Sequence, residues 1–441
     1  MMRITPLDPW TAAKIGLGRG PLDRESLERY QRDKLTETIH FAIENSSFYR
    51  KRLKQFALRN MGLLADVASL PYTTAEELHE QGPEFLCVSQ TQISRVVTLN
   101  TSGTLGDPKR LWFTPEDQKL TVDFFRAGMS TLVSRGDRVL ILLPGERSGG
   151  VGDLLVQALL SLGAAPIPHG LVRNLEETLK IMSGNNVDSV VGIPVQIMAL
   201  ARYSAGNGLL PVKPKSVLLS TDYAADSLIR EVERIWGCEV FDHYGMTEMG
   251  LGGGVDCAAH AGYHLRETDL YFEIINPDSG EPVPEGEEGE VVFTTLTRQG
   301  MPLIRYRTGD LSRFLPEPCP CGSVLKRLDR IRSRRHSSLQ LPNGTTVRWT
   351  EIEEALFEVP GVIDFSIAVS DAQERLKFFL SLLTVRQDTK IEPDVLDRIR
   401  RIPQLASVLK SAQLELILQT TPYDGLLPPV AGKRIFRSLT L

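Results

Sequence analysis

The chain has 441 residues, more than one hydrophobic core usually supports, so at least two domains are expected. Its 42% hydrophobic and 24% charged residues are typical of a globular protein, and the net charge of -5 gives no support for nucleic-acid binding. Five cysteines are too few for a disulfide framework. With no signal-peptide pattern and no run of about 18 apolar residues, a cytoplasmic protein without a membrane span is expected.

The first ninety residues are predicted to be helical. The stretch SLERYQRDKLTETIHFAI (26–43) places apolar residues near helical spacing. Thr74 followed by Glu77 is a capping-box pattern and predicts a helix start. Thr114, followed by a proline and then Asp117, predicts a second helix start.

Short apolar runs then alternate with helical segments. The runs predicted as buried strands are RVLILLP (138–144), SVVGIP (189–194), SVLLST (216–221) and CEVFDHYG (238–245). Such alternation of strands and helices predicts a mostly parallel sheet that is covered on both faces.

The pattern changes near residue 268. Two strand-like runs flank an acidic turn rich in proline and glycine between residues 269 and 296, which predicts a β-rich subdomain. A hinge is predicted between residues 331 and 342, followed by a smaller α+β pattern. Its predicted elements are the helix TEIEEALFEV (350–359), the strands FSIAVS (365–370) and KFFLSLLTV (377–385), and the helix VLDRIRRI (395–402).

The segment TSGTLGDPK (101–109) has the composition of a loop that wraps its backbone around phosphate. Its glycines permit backbone conformations closed to other residues, its hydroxyls are donors, and Lys109 adds a mobile positive charge. The sequence does not match G-x-x-x-x-G-K-[ST], so the P-loop NTPase fold is not implied. A polar connection between a strand and a helix is the alternative. The candidate phosphate-binding residues of the loop are Thr101, Ser102, Gly103, Thr104 and Gly106.

Three further motifs follow this loop in the chain. They are YGMTE (244–248), RYRTGDL (305–311) and AGKRIFR (431–437), and with the loop they resemble the acyl-adenylate-forming enzymes, the superfamily of acyl-CoA synthetases. The chain is more closely similar to the phenylacetate-CoA ligase family, through ENSSFYRKRL (44–53), the long turn at 280–311 and CPCG (319–322).

The resemblance implies an α/β fold with two domains. The large N-terminal acyl-adenylate-forming domain, expected over residues 1–333, would hold mostly parallel sheets with helices and a β-rich subdomain. A small, mobile α+β C-terminal domain would follow over residues 334–441.

The resemblance also implies a reaction. Such an enzyme activates a small-molecule carboxylic acid by displacing pyrophosphate from ATP, and then usually passes the acyl group to the thiol of CoA. Negative charge on the phosphates requires cations and aligned donors. By resemblance, Lys109 holds the β- and γ-phosphates together with Ser102, Gly103 and Thr104.

The YGMTE motif would bind the rest of the nucleotide. By resemblance, Tyr244 flanks the adenine, Thr247 contacts the α-phosphate and Glu248 binds Mg²⁺. Gly245 and Met246 would complete the nucleotide contact. A turn at the end of a strand is the alternative interpretation.

The two later motifs supply further predicted contacts. A carboxylate suits a vicinal diol, so Asp310 would accept hydrogen bonds from the ribose hydroxyls, and Arg334 stands at the place of the second ribose contact. Lys433 would touch the carboxylate and the α-phosphate during adenylation, a transient contact that suits a long flexible ammonium. A surface charge at Arg334 and a solvated lysine at Lys433 are the alternatives.

Cysteine and histidine residues at both ends of the β-rich region form a candidate metal site. Thiolates and imidazoles suit Zn²⁺, which takes four ligands in structural sites. Some relatives of phenylacetate-CoA ligase carry cysteine and histidine here, and His264 matches the family histidine better than His260 does. A tight proline turn with reduced thiols is the alternative. The predicted zinc ligands are Cys257, His264, Cys319 and Cys321.

The chain departs from the family at the hinge. Relatives read G-R-x-D-D before a loop of the type R-G-x-N-x, whereas this chain has Ser333 for the glycine and His336-Ser337 for the aspartate pair. The hinge absorbs the rotation of the small domain, and the loop after it commonly helps to bind CoA. The departures leave adenylation in place and put the CoA step in doubt.

Three hypotheses for the function follow. The first is an ATP-dependent, AMP-forming ligase that makes an acyl-CoA, with an aryl acid such as phenylacetate as the expected substrate. The second is an adenylating enzyme of a natural-product or cofactor pathway that does not use CoA. The third is a catalytically silent nucleotide-binding relative. The predicted walls of the acid pocket include Ile193, Tyr223, Met246 and the glycines at 252–254, which exclude few acids, and a homodimer is compatible with all three hypotheses.

Overall fold

The computed structural model describes residues 4–56, 64–99, 109–207, 213–334, 337–372, 375–386, 391–429 and 434–438. The chain divides into two compact units. The first comprises residues 1–131, 147–162 and 243–331, and the second comprises residues 132–146, 163–242 and 332–441. The two domains expected from the sequence, 1–333 and 334–441, stay a prediction.

The helices follow the predicted pattern closely. None of those in the described ranges combines the length and the apolar composition needed to cross a bilayer. The α-helices are α1 (Leu7–Lys14), α2 (Arg24–Asn45), α3 (Ser47–Leu53), α4 (Ala75–Gln81), α5 (Pro115–Met129), α6 (Val151–Leu162), α7 (Leu175–Gly184), α8 (Pro194–Gly206), α9 (Asp226–Trp236), α10 (Trp349–Phe357), α11 (Ile391–Arg400) and α12 (Pro403–Lys410).

The strands include all those predicted from apolar runs. They are β1 (Arg95–Leu99), β2 (Lys109–Phe113), β3 (Arg138–Leu142), β4 (Ala165–Pro168), β5 (Ser189–Gly192), β6 (Ser216–Leu219), β7 (Glu239–Tyr244), β8 (Gly254–Val255), β9 (Tyr263–Leu265), β10 (Leu270–Ile275), β11 (Gly289–Thr295), β12 (Tyr306–Ser312), β13 (Arg327–Leu328), β14 (Ser333–Arg334), β15 (Ser338–Gln340), β16 (Thr346–Arg348), β17 (Val362–Ala372), β18 (Arg375–Thr384), β19 (Leu414–Pro422) and β20 (Arg437–Ser438).

Both predicted helix starts are confirmed. The Thr74 hydroxyl accepts from the amide of Glu77, whose carboxylate accepts from the amide of Thr74 at 2.9 Å. At the start of α5, Thr114 and Asp117 form the same reciprocal pair of hydrogen bonds, and the proline between them is the first helical residue. Such caps satisfy backbone donors that a helix leaves unpaired at its start.

The first unit contains short antiparallel sheets. Strands β1 and β2 pair with Leu99 opposite Lys109, and β10, β11 and β12 form a meander in which β10 and β11 are the two predicted β-rich runs. The end of β7 pairs with β8, which pairs with β9, which in turn pairs with β13. A buried aromatic and aliphatic core lies behind these strands, including Phe48, Phe85, Phe293, Leu303 and Tyr306.

The second unit contains the predicted parallel sheet. Its strands lie in the order β4, β3, β5, β6 and β7, and all pairs are parallel. All residues of β5 and β6 are buried, as expected for central parallel strands. The C-terminal part of this unit is a second sheet in the order β19, β18, β17, β20, and its helix α12 and strand β19 were not predicted from the sequence.

Candidate functional site

A tight turn after β7 carries Glu248. The residues Thr247–Met249 form one turn of 3-10 helix, closed by the amide of Met249 donating to the carbonyl of Met246 at 3.1 Å. Gly245 is required by a close approach, because a Cβ there would lie 2.4 Å from the carbonyl oxygen of Leu251. The turn therefore directs the Glu248 side chain into the first unit, where it is buried.

The charged centre of the site consists of Lys109, Glu248 and Tyr306. The Lys109 ammonium donates to Glu248 Oε1, and the side chains are only 11% and 4% exposed. The Tyr306 hydroxyl donates to the same Oε1 at 3.2 Å and accepts from Lys109 Nζ at 3.3 Å. Burial, with the nearby carboxylate of Glu248, raises the pKa of Tyr306 well above its usual value, so this phenol stays protonated.

A second cation lies behind the turn. Arg298 donates from Nη1 to the backbone carbonyl of Glu248 at 2.7 Å, and its guanidinium lies 4.3 Å from the centre of the Phe113 ring. Burial lowers the pKa of Arg298, and Asp117 and Glu248 oppose that effect. Arg298 therefore fixes the backbone of the turn while Lys109 fixes its carboxylate.

Tyr244 and Asp310 meet beside this centre. The Tyr244 hydroxyl donates to Asp310 Oδ2 at 3.0 Å, and the Tyr244 ring stacks on Tyr263 with ring centres 5.9 Å apart. Both residues are buried, and Asp310 lies on β12 with Tyr306. Two residues predicted to contact the nucleoside are therefore in direct contact with each other.

Of the other residues predicted to contact the nucleotide or the acid, the structure describes only some. Arg334 lies in the second unit, where its amide donates to the hydroxyl of Ser337 at 2.9 Å. Sequence reasoning missed Tyr306 and Arg298, although Tyr306 stands inside the quoted RYRTGDL motif. The predicted residues that lie outside the described part of the chain are Thr101, Ser102, Gly103, Thr104, Gly106, His336 and Lys433.

Four predicted metal ligands converge in the first unit. The ligand atoms of Cys257, His264, Cys319 and Cys321 all lie within 4.8 Å of one another, and all four residues are buried. The Sγ atoms of Cys257 and Cys319 are 3.7 Å apart, and Cys321 Sγ lies 3.5 Å from His264 Nε2. With Zn–S bonds of about 2.3 Å and Zn–N bonds of about 2.1 Å, a tetrahedral ion needs separations of roughly 3.8 and 3.6 Å. The donor set therefore fits zinc.

The protonation of these groups also fits a metal. Burial raises the pKa of the Cys257 and Cys319 thiols, so a cation is needed to hold them as thiolates. Burial, with the charge of Arg327, lowers the pKa of His264 to about 4, which leaves a neutral imidazole as metal ligation requires. His260 has a different partner, since its Nδ1 lies 2.8 Å from Asp256.

A cavity of about 380 Å³ lies in the second unit. It opens where β5 and β6 end, the edge of a parallel sheet at which ligands usually bind, and its volume falls in the range of ligand pockets. Tyr223, a predicted pocket residue, donates its hydroxyl to Glu354 at 2.8 Å. Met246 and the glycines at 252–254, also predicted pocket residues, lie in the first unit. The cavity wall includes Ile193, Val195, Gln196, Asp222, Asp364 and Arg434.

Arg434, which follows Lys433 in the chain, is held in a partly buried ionic cluster of the second unit. Its guanidinium lies 2.7 Å from Glu353 and 2.5 Å from Asp364, and it packs over the ring of Phe365 at 4.6 Å. Burial raises the pKa of Glu353 to about 8 and also raises the pKa of Asp222. The tail that carries Lys433 is thus attached to the unit at the next residue.

Comparison with known proteins identifies related chains. Residues 65–297 match the family described as AMP-binding enzyme. The phenylacetate-coenzyme A ligase of Thermus thermophilus is 29% identical over 360 residues, which cover 78% of this chain and 78% of the relative. The phenylacetate-coenzyme A ligase of Escherichia coli is 26% identical over 371 residues, covering 81% of this chain and 80% of the relative.

Solved structures agree in fold. A crystal structure of 2-hydroxyisobutyryl-CoA ligase in the postadenylation state, in complex with R3-HIB-AMP, superposes with a TM-score of 0.77 at 19% identity. The superposition covers 93% of this chain and 89% of that one, and it confirms the predicted α/β fold class. Because the family match at 65–297 covers more than half of the 441 residues, this chain belongs to the AMP-binding enzyme family.

Proposed function

We propose that this chain is an ATP-dependent, AMP-forming carboxylate–CoA ligase that acts through an acyl-adenylate. The buried contact of Lys109 with Glu248 carries this proposal. It joins two residues that lie 139 positions apart in the chain, and the motif of each is predicted to bind the phosphates of ATP or their Mg²⁺. The similarity to phenylacetate-coenzyme A ligases over most of both chains supports CoA as the acceptor and phenylacetate as the first acid to test.

In the first half-reaction a carboxylate oxygen of the acid attacks the α-phosphorus of ATP, and the bond to pyrophosphate breaks. Negative charge then gathers on the departing pyrophosphate. Lys109 supplies an ammonium to the β- and γ-phosphates, with the loop residues before it as donors. Lys433 contacts the acid carboxylate and the α-phosphate, and Thr247 contacts the α-phosphate.

Glu248 is the residue that would hold Mg²⁺. A carboxylate oxygen is the ligand type that Mg²⁺ takes alongside substrate phosphates, and the ion would neutralise phosphate charge. A carboxylate on a side chain that is 4% exposed needs a cation beside it, and Lys109 fills that need. The site would therefore suit a magnesium–triphosphate, whose phosphates Lys109 would contact.

The nucleoside is assigned to the neighbouring residues. Asp310 accepts hydrogen bonds from the ribose hydroxyls, which replace the hydrogen bond that Tyr244 donates to it in this structure. Gly245 and Met246 lie against the base together with Tyr244. Arg334 supplies the second ribose contact. The cavity of the second unit, lined by Ile193 and Asp222, is proposed as the pocket that receives part of the substrates.

The second half-reaction transfers the acyl group to CoA. The thiol sulfur attacks the acyl carbon, the bond to the AMP phosphate breaks, and the thiol proton is lost. A family enzyme rotates its small domain between the two steps. Here Ser337, one of the altered hinge residues, donates its hydroxyl to the carbonyl of Arg334 at 3.1 Å. Because the hinge sequence at Ser333, His336 and Ser337 departs from the family pattern, an adenylating enzyme without a CoA step is the second candidate.

Zinc is proposed as a structural ion at Cys257, His264, Cys319 and Cys321. Because four protein ligands complete a tetrahedral shell, such an ion binds no substrate and stabilises the fold that surrounds it. A cytoplasmic location, expected from the cysteine content, stays a prediction.

The function is tested by pyrophosphate release from ATP and Mg²⁺ over a panel of aryl and aliphatic acids, with and without CoA. Acid-dependent release with acyl-CoA as product is expected, and release without thioester would favour the second candidate. Lys109→Met should abolish release, whereas Lys119→Met, at a lysine 76% exposed in the same unit, should not. ATP binding without release for any acid would identify a silent relative.

A further inference from the structure

The two charged groups of the site, which contact each other directly, also share a third side chain as a hydrogen-bond partner. The Tyr306 hydroxyl accepts from Lys109 Nζ at 3.3 Å and donates to Glu248 Oε1 at 3.2 Å. A phenol is uncharged and cannot replace either ion. Its hydroxyl can, however, fix the direction in which each of them points.

The backbone before Tyr306 is held in one conformation. Arg305 has a φ of 48°, a left-handed value that residues other than glycine rarely adopt. Its guanidinium is bound to Glu273 at 2.9 and 3.1 Å, and it donates to the carbonyls of Ala68 and Leu70. Each of these contacts opposes a change at the residue that precedes Tyr306.

The two sides of the Tyr306 segment are also held. The carbonyl of Arg305 accepts from the amide of Thr73 at 3.0 Å, and the amide of Arg307 donates to the carbonyl of Thr73 at 3.0 Å. The Tyr306 ring packs against Phe293, with ring centres 5.5 Å apart. The phenol is therefore a rigid group between two long side chains that have several rotatable bonds each.

We propose that Tyr306 is a positioning residue for the magnesium–ATP complex, keeping the Glu248 carboxylate in one orientation after Lys109 has moved to the phosphates. This inference rests on the function proposed above. The hydrogen bond from the Tyr306 hydroxyl to Glu248 Oε1 involves no atom of Lys109, so departure of the ammonium does not by itself break it. Outer partners of this kind orient a metal ligand, and their loss typically weakens metal affinity or activity about 10- to 100-fold.

The test uses Tyr306→Phe, which removes only the hydroxyl. ATP binding is measured by calorimetry at a series of Mg²⁺ concentrations without acid, so that no turnover occurs. The variant should need about 10- to 100-fold more Mg²⁺ for half-saturation. In the full reaction its KM for the acid should stay at the wild-type value.

Tyr49→Phe is the matched control. Tyr49 is buried in the same core, and its hydroxyl also makes two hydrogen bonds, to Thr73 at 3.2 Å and from the amide of Ile304 at 2.9 Å. It touches neither Lys109 nor Glu248 in the contacts of the described residues. It should lower the melting temperature about as much as Tyr306→Phe does, and leave the Mg²⁺ dependence unchanged.

The outcomes separate two failures. If Tyr306→Phe shows the Mg²⁺ dependence of the wild type and of Tyr49→Phe, Tyr306 is a structural residue only and this inference is overturned. It is overturned as well if both variants shift the Mg²⁺ dependence equally. If the wild type binds no ATP at any Mg²⁺ concentration, the proposed function fails and this inference fails with it.

Discussion

Replacing a single cysteine of the metal cluster should remove one zinc ion per chain. The perturbation is Cys319→Ser, which exchanges a thiolate ligand for a hydroxyl that binds zinc poorly. Cys319 lies 3.7 Å from Cys257, close to the edge of about 3.8 Å that a tetrahedral zinc–sulfur site requires. In the wild type the four ligand atoms are already close together, so the site should bind zinc as the protein folds.

The size of the effect follows from mass action. At a free zinc concentration about 1,000 times the dissociation constant, binding stabilises the folded form by about 4 kcal/mol. The first unit has about 240 residues, and for a unit of that size 1 kcal/mol moves the melting temperature by about 2–4 °C. Loss of zinc should therefore lower the melting temperature by about 8–16 °C.

The assay combines elemental analysis with thermal denaturation. Protein purified without chelator should contain one zinc per chain, and Cys319→Ser should contain none. Cys87→Ser is the control, since Cys87 is a buried cysteine of the same unit whose pKa burial raises to about 12. It should keep its zinc. A wild-type protein free of zinc, or a melting temperature that chelator does not change, would refute the reasoning.

Four other results are expected. Lys433→Ala should abolish acid-dependent pyrophosphate release while calorimetry still finds ATP binding, because its contact belongs to the transition state; wild-type release would remove it from the mechanism. Arg434→Met should lower the free energy of unfolding by up to about 3–5 kcal/mol in urea denaturation, because it removes the cation that contacts the buried Glu353 and the partly exposed Asp364; the control is Arg230→Met, at an arginine 64% exposed. Burial raises the pKa of Glu353 from 4.5 to about 8, so the folded chain binds more protons between these values and stability falls as pH rises through them. Glu353→Gln should flatten that fall in melting temperature, and an equal slope would contradict the assignment. With ATP and CoA both present, rapid quench should detect accumulating acyl-AMP, and His336→Asp should reduce it; thioester formed as fast as adenylate would show that the altered hinge is neutral.

Much of the fold could be predicted because the local signals agree with the tertiary structure. The cap at Thr74 uses atoms three residues apart, and the buried strands β5 and β6 appear in the sequence as unbroken apolar runs. Helix α12 and strand β19 were missed because their patterns are weak alone. The residues of β19 alternate only partly in burial, and the strand is placed by its parallel pairing with β18.

Two candidate site residues that separate motifs suggested lie side by side. Lys109 and Glu248 were assigned to one site from motifs far apart in the chain, and their side chains are in contact, while their roles stay predictions. Tyr306 and Arg298 were missed because they join the site only through contacts with residues that are far away in the chain. A tyrosine inside a strand is ordinarily a core residue, and only its hydroxyl contacts with Lys109 and Glu248 indicate more.

The separation of the site residues along the chain has a consequence for biosynthesis. Lys109 contacts Glu248 across 139 residues and Tyr306 across 197 residues. Strands β1 and β2 can pair early, since they are neighbours in sequence, but Glu248, the carboxylate that binds the ammonium at the start of β2 among the described residues, is synthesised much later. Contacts of such long range form late and slowly. A nascent chain that stops before β12 therefore lacks the Tyr306 hydroxyl that bonds both Lys109 and Glu248 in the folded protein.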